Sequence, residues 1–394
     1  MNYPWSNVDI MSPPNQRVGS FHIAKNFMKA IGQHYTDSGL QEVWAESLVF
    51  GKNTATNNML AKSYNRTIRA HKLTLEALWL IMWPHFREWA EGQGLDDRDL
   101  QGLSEHLAQS FNGKDEQDSP SELMKQLEDE VQTGHLLQLL EQYDETLPPT
   151  SLYWRHYMKM VLVLLQFIRA ERTGDWQIHK SAFLAMLPWF AHYNHTNYMR
   201  WGTIYAADIH QLEVSHPDVH QHFMEGNFVV KTTHKAFNQV STDMVLEHVN
   251  KVGKVAGGLI GITKSDTAKD KWCLTYNDHS RLADETSVMF ALTTEDTEYA
   301  PSANKDIGTL RIRRDREDVQ KLMDQLRRFS VFNTNTQDLT CLATRDIATE
   351  NIKTALLTAQ KHGEDKITEF VLTQLCTREV GFHTKLKQCV SLKT

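Results

Sequence analysis

The residues best suited to chemistry lie between His192 and Asn250, the stretch of the chain densest in His, Asn and aromatic side chains. Within it, Asp243 and Glu247 stand four apart in STDMVLEHVNK. On a helix the two carboxylates would share one face, with Asn250 on the adjoining face. Two carboxylates so placed can hold Mg²⁺ or Mn²⁺ together with a substrate phosphate. Asp208, on an earlier helical segment, is a candidate third oxygen ligand if the fold brings it near. The same spacing also describes a solvated helix face whose acids pair with Lys251 or Lys254.

Three other groups compete with this pair. Eight of the nineteen histidines fall at His192, His195, His210, His216, His220, His222, His234 and His248. His216 and His220 have the spacing of two zinc ligands on one helical turn. They lack both the adjoining Glu of an HExxH motif and a nearby Cys, so they point to structural histidine rather than Zn²⁺. His195, Thr196, Asn197 and Tyr198, with Arg200 and Trp201, could bond and stack on a base or phosphate, and they could equally cap a helix. Lys231 and Lys235 would add phosphate contacts. Finally, Arg311, Arg313, Arg314, Arg316, Lys321, Arg327 and Arg328 could follow a phosphate backbone. Asp315, Glu317, Asp318 and Asp324 dilute them, so an ion-paired solvated helix is the simpler reading. Arg66, Arg69 and Lys72 carry the same ambiguity.

Much is excluded. The chain has no phosphate loop, dinucleotide fingerprint, zinc-finger spacing, nucleophile elbow or internal repeat. Its 394 residues, 41% hydrophobic and 23% charged, suit a globular protein with one large core or two to three smaller ones. The longest apolar run, residues 160–168, is too short to span a bilayer and is interrupted by Gln166. The N-terminus lacks the basic start and apolar stretch of a signal peptide. The four cysteines (273, 341, 376 and 389) form no CxxC pair, which fits a reduced intracellular setting, nuclear or cytoplasmic. A membrane partner is not expected. The net charge of -7 is uneven: residues 91–150 hold fifteen Asp/Glu against three Lys/Arg, leaving the remainder net positive. Overall acidity therefore does not exclude a DNA or RNA partner.

The elements that must position these residues are mostly helical. Residues 1–18, with Pro13-Pro14, read as an extended lead. A helical region follows over 19–90. Ser20 is placed to cap its first helix, further helices run over about 40–50, 53–62 and 65–89, and Pro84 should kink the last. Residues 91–122 read as an acidic, partly disordered linker or insertion. The central region, 123–290, holds a helix over 151–172 closed by Gly174. Asp175 caps the next helix, which Pro188 should break or kink. Helices over 198–212 and 216–226 follow, with Pro217 in the first turn of the second. The alternating β-branched run 227–233 predicts a strand. A helix from about Lys235 to Val252 carries Asp243 and Glu247, and 263–290 is helical in part. A second linker, 291–308, precedes a helical C-terminal region over 309–394, with helices near 347–362 and 364–378. The expected class is mainly α with a small β component (α+β), a multi-helix core bearing an acidic insertion.

The motifs GSFHIAKNFMKAIGQHYTDSGL, KSYNRTIRAHKLTLEAL, MLPWFAHYNHTNYMRWGTIYAADI, GNFVVKTTHKAFNQVSTDMVLEHVNK and GGLIGIT, with RDREDVQKLMDQL and FHTKLKQCVSLKT, cover the chain from about Arg17. In these the chain resembles a recurring group of uncharacterised, mobile-element-associated animal proteins. The D-x-x-x-E-x-x-N pattern also resembles one in transposon-associated proteins with ribonuclease-H-like cores. That resemblance implies that Asp243 or Glu247 is a late catalytic acid of a metal-dependent strand-transfer site. Earlier acids would be expected on strands before GSFH, where only Asp9 stands, so a fragment or inactive copy is implied. The expected function is a mobile-element-derived nucleic-acid-processing module. The alternatives are a non-catalytic helical protein-interaction module and a metal-binding protein built on the histidine cluster.

Overall fold

In the computed structural model the described residues are 18–95, 137–231, 237–255, 265–289, 309–332 and 336–375. The expected lead (but for Val18), most of the acidic insertion and the 291–308 linker lie outside them. The described chain is mainly α with a small β component. Its helices are α1 (Ser20–His34), α2 (Leu40–Glu46), α3 (Lys52–Met59), α4 (Tyr64–Gly92), α5 (Pro149–Thr173), α6 (Trp176–His192), α7 (Thr196–Ser215) and α8 (Pro217–Met224). After β1 (Val230–Lys231) and β2 (Gln239–Val240) come α9 (Thr242–Val255), α10 (Asp266–Met289), α11 (Thr309–Arg328), α12 (Glu350–Leu357) and α13 (Ala359–Phe370). Residues 137–146 are also helical. The chain divides into two compact units, one of residues 28–162 and 314–359, the other of 1–27, 163–313 and 360–394.

The first unit is built on buried aromatic side chains. Tyr35, Trp44, Trp154 and Tyr157 are each fully buried, and burial of side chains of this size contributes about 1.5–3 kcal/mol apiece. The polar atoms of Tyr35, Trp44 and Tyr157 are paired, Tyr35 donating to the Tyr153 carbonyl at 2.8 Å, while Trp154 Nε1 is buried without a hydrogen-bond partner among the described residues. Trp44 Nε1 donates to Thr74 Oγ1 at 2.7 Å, and Thr74 donates on to the Ala70 carbonyl at 2.8 Å. His71 Nδ1 meets the Tyr157 hydroxyl at 2.8 Å. Buried Asp144 takes Arg155 Nε at 2.8 Å and Lys159 Nζ at 2.7 Å. Two contacts tie α5 to the later segment: Ser151 Oγ donates to the Val331 carbonyl at 2.7 Å, and Thr150 Oγ1 to that of Asp338 at 2.9 Å. Gly32 lets α1 approach the Met59 carbonyl at the end of α3, where a Cβ would clash.

The second unit packs α6 on α7, with Gly202 making room for Leu187 and Phe183. Its centre is His179, fully buried and stacked on Trp176 with ring centroids 5.0 Å apart at 12°. His179 Nδ1 lies 2.7 Å from Glu171 Oε1, and Nε2 3.1 Å from the Tyr205 hydroxyl. One side chain thus links α5, α6 and α7. Gly174 and Gly226, at φ +74° and +77°, bring two turns into backbone contact. Gly363 of α13 likewise lies against the Pro188 carbonyl.

Several local expectations change. Ser20 is the first helical residue rather than a cap. Neither Pro84 nor Pro188 ends its helix. The residue four before each, whose carbonyl loses its N–H partner, is an exposed leucine (Leu80, 45%; Leu184, 48%), so water can serve instead. Of the expected strand 227–233, Val230–Lys231 are strand, paired antiparallel with Gln239–Val240, residues 227–229 are not, and 232–233 lie outside the described residues. Residues 225–228 form a turn, and Phe228 packs against Trp176. The helix expected from about Lys235 begins at Thr242.

Two consequences are measurable. Burial lowers the pKa of His71 to about 3, from 6.5. Between those values the unfolded chain binds a proton that the folded chain does not, so stability rises with pH there and is lost as pH falls below 6.5. His71 should make this unit about 2 kcal/mol less stable at pH 5 than at pH 7. His156, whose pKa burial lowers to about 4, adds to that dependence, so His71→Gln should remove about half of it in equilibrium denaturation. In the second unit, His179→Ala strips Glu171 of its buried partner and should cost about 3 kcal/mol or more in the same experiment.

Candidate functional site

The first four N–H groups of a helix have no partner within it. α1 begins after Gly19, a residue with no side chain to cap it, whose carbonyl accepts the first helical bond from Ile23 at 2.9 Å. The missing acceptor arrives from α9. Asp243 Oδ1 accepts from the Phe21 amide and Oδ2 from the His22 amide, each at 3.1 Å. A Cβ at residue 19 would collide with that carboxylate, so glycine there leaves the space Asp243 fills. The positive end of the helix dipole favours a carboxylate in that place.

His22 completes the arrangement. Its Nδ1 lies 3.0 Å from Asp243 Oδ2, and its Nε2 lies 3.9 Å from Glu247 Oε1. Asp243 is nearly covered, at 16% side-chain exposure, whereas His22 and Glu247 stand at 44% and 52%. The predicted acidic pair therefore shares one face of α9, but the two acids differ in kind. Asp243 has three donors and is a structural cap. Glu247 is open to solvent beside an imidazole that Asp243 orients. Tyr198, half-buried on the first turn of α7, has its hydroxyl pKa raised by burial and then by Asp243. Its ring lies 5.5 Å from that of Phe190.

The remaining candidates do not join this cluster into a metal centre. Asp208 is half-buried on α7. Among the described residues, no three or more His, Cys, Asp or Glu side chains are grouped to hold a metal ion. Asn197 and Arg200 are exposed on α7. Exposed Lys231, on β1, reaches the Glu225 carbonyl at 3.5 Å. Lys235 and His234 lie outside the described residues. His216 and His220 do not share a helical turn, because His216 precedes α8 with φ −146°, and its Nδ1 meets Ser215 Oγ at 3.0 Å. His195 stands at the N-cap position of α7 without a capping side-chain bond.

His192 instead meets His362 of α13, Nδ1 to Nδ1 at 3.1 Å, and Lys366 Nζ donates to the His192 carbonyl at 3.5 Å. Burial, then His362 and Lys366, lowers the His192 pKa to about 4. One neutral ring can donate to the other, so the contact holds near neutral pH. Beside it lies a cavity of about 260 Å³ lined by Asn194, Thr196, Lys366, Glu369 and Thr373 among others.

The model of one protein family matches residues 11–394. The chain belongs to that family, a domain of unknown function (DUF8702). No curated protein and no solved structure matches it. The family match takes in Gly19, His22, Asp243 and Glu247 together, and its description carries no activity.

Sequence reasoning passed over His22, Gly19 and His362. The available signal was Gly19 itself, a residue without a capping side chain in front of a strongly periodic helix. Removing the borrowed cap should be costly and local repair should restore it. Asp243→Ala should lose about 1–2 kcal/mol in chemical denaturation. Adding Gly19→Ser to that variant should recover part of it, and Glu247→Ala should stay within about 0.5 kcal/mol of wild type.

Proposed function

We propose that this chain is a nucleic-acid-processing module of mobile-element type, in which Glu247 is the working acid and Asp243 and His22 position it. The observation that carries the reading is the meeting of His22, from the GSFH motif, with Asp243 and Glu247, from the DMVLEHVN motif, across more than two hundred residues of chain. Asp243 would not be a metal ligand, because its oxygens already accept from α1. Glu247 offers one exposed carboxylate, to which Mg²⁺ or Mn²⁺ could bind along with a substrate phosphate. The fit to such an ion is partial, and its further ligands would be water and phosphate oxygens. Exposed Arg200 and Lys231 are the candidate phosphate contacts of this unit.

A second reading has its own observation. α9 and α10 present Leu246 (62% exposed), Val249 (55%), Leu274 (82%) and Leu282 (63%), apolar side chains suited to a protein-interaction module without chemistry.

The deciding assay follows cleavage and strand transfer of labelled single- and double-stranded DNA and RNA with Mg²⁺ or Mn²⁺. Wild type should be active only with metal. Glu247→Ala should lose at least about a hundredfold in rate at unchanged thermal midpoint, in the range seen when a catalytic acid–base group is removed. An inactive wild type, or equal activity in both, counts against the reading, and the interaction module then takes its place.

A further inference from the structure

The sequence of α11 alternates cations with acids, which suggests charges that cancel along one helix. The structure separates them. Asp315 and Asp318 both turn to Arg69 of α4, whose Nη2 lies 2.7 Å from Asp315 Oδ1 and 2.6 Å from Asp318 Oδ2, with Nε also 3.0 Å from Asp315. All three side chains are about four-fifths covered, at 19%, 21% and 18% exposure. Two of the four acids that diluted the basic run are thereby drawn into the α4–α11 seam, where the single cation Arg69 offsets one of their two charges. Nε and Nη2 share one Asp315 oxygen and Nη2 also meets one oxygen of Asp318, so these are charge-assisted hydrogen bonds to two carboxylates.

Exposed cations border the seam. On α4, Arg66 and Lys72 stand three residues to either side of Arg69, and both are exposed. On α11, Arg314, Arg316 and Lys321 are exposed around the two captured acids, with Lys321 Nζ 3.5 Å from Asp318 Oδ1 and the exposed acid Glu317 between Asp315 and Asp318 in sequence. The α11 helix buries Val319, Leu322, Met323 and Leu326 on its other side, which fixes the basic side outward. On each helix the cations span roughly 10 Å, at 1.5 Å of rise per residue. Glu76 is the one α4 acid set among them, facing Lys72 and Arg316 with its pKa raised mainly by burial.

We infer that this α4–α11 face binds the phosphate backbone of a nucleic acid, with Arg66, Lys72, Arg314, Arg316 and Lys321 as its contacts. Two rows of long cations held on paired helices suit a linear array of phosphates, and contacts of this kind set position and affinity without reading sequence. A membrane surface fits less well, because these five cations are not interleaved with exposed apolar side chains on α4 or α11 within this unit. The face is separate from Glu247, so it stands or falls independently of the processing reading.

The test is equilibrium binding of a fluorescent duplex and of a single strand in chelator, so that no cleavage can intervene, across a series of salt concentrations. Wild type should bind with an affinity that falls steeply with salt, and Glu247→Ala should bind equally. The combined Arg66→Glu, Lys72→Glu, Arg314→Glu and Lys321→Glu variant should bind at least about tenfold more weakly, with a salt slope shallower by about one for each cation replaced. The same four positions changed to Gln, a milder set at exposed sites, should show the same reduction in slope while keeping the wild-type helical circular-dichroism signal. Glu76→Gln, which removes a negative charge from the face, should tighten binding. Unchanged affinity and slope in the Gln set overturn the inference. So does wild-type binding to vesicles containing phosphatidylserine without binding to nucleic acid. Binding that behaves as expected from a wild type inactive in the cleavage assay leaves this face established and removes the processing reading alone.

Discussion

A helix that starts at glycine must borrow its cap, and α1 borrows from Asp243. Three donors at the start of α1, two amides and an imidazole, converge on that one carboxylate. Unmet, the amides would be left at a partly covered helix end where each missing bond costs about a kilocalorie or more. The interaction fixes where α9 sits, since Asp243 is in its first turn, and thereby fixes Glu247 one turn further along the same face. It also fixes the His22 ring. The most distinctive cluster of polar residues in the molecule is thus a consequence of helix termination, and whatever chemistry Glu247 performs rests on that prior structural use of Asp243.

Hydrogen bonds that pair buried polar groups recur in both units. His71 with Tyr157, and His179 with Glu171 and Tyr205, are imidazoles placed where an apolar ring of similar size would otherwise fit. His71 joins α4 to a partner 86 residues away on α5 and His179 joins three consecutive helices, and each adds direction to packing that hydrophobic burial alone leaves permissive. The abundance of histidine, which from composition suggests metal, is in part accounted for by such contacts. His192 follows suit, meeting His362 rather than the histidines near it in sequence.

What the sequence revealed follows the range of the forces involved. Asp175 capping Ile178 at 2.9 Å, Gly174 with its positive φ and Pro217 in the first turn of α8 are decided within a few residues, and the local pattern shows them. The periodicity of α4, α5 and α11 is likewise local. The strand expected over 227–233 begins only at Val230, because Phe228 is drawn into the aromatic cluster around Trp176, a tertiary demand that its alternating neighbours do not record. Both prolines lie inside their helices, where the residue four before each is an exposed leucine whose freed carbonyl water can reach. The acidic pair at Asp243 and Glu247 was legible as a pair. That one member caps a helix 221 residues away was not, because no spacing rule connects them.

Charge shows the point most clearly. In α11 the sequence offers cations and acids in near balance, and in α9 two acids of equal standing. The fold then assigns each a use. Asp315 and Asp318 are turned inward to Arg69, and Asp243 to the start of α1, while Glu247, Arg66 and Arg314 remain at the surface. The covered charges are held by hydrogen bonds and a fixed geometry, and the exposed ones keep the freedom to meet a ligand. Counting residues by type treats the two sets alike. Subtracting the charges engaged in holding α1, α4, α9 and α11 leaves Glu247 exposed beside an oriented imidazole and an excess of cations on the α4–α11 face, and it is on those remainders that a functional reading of the described residues rests.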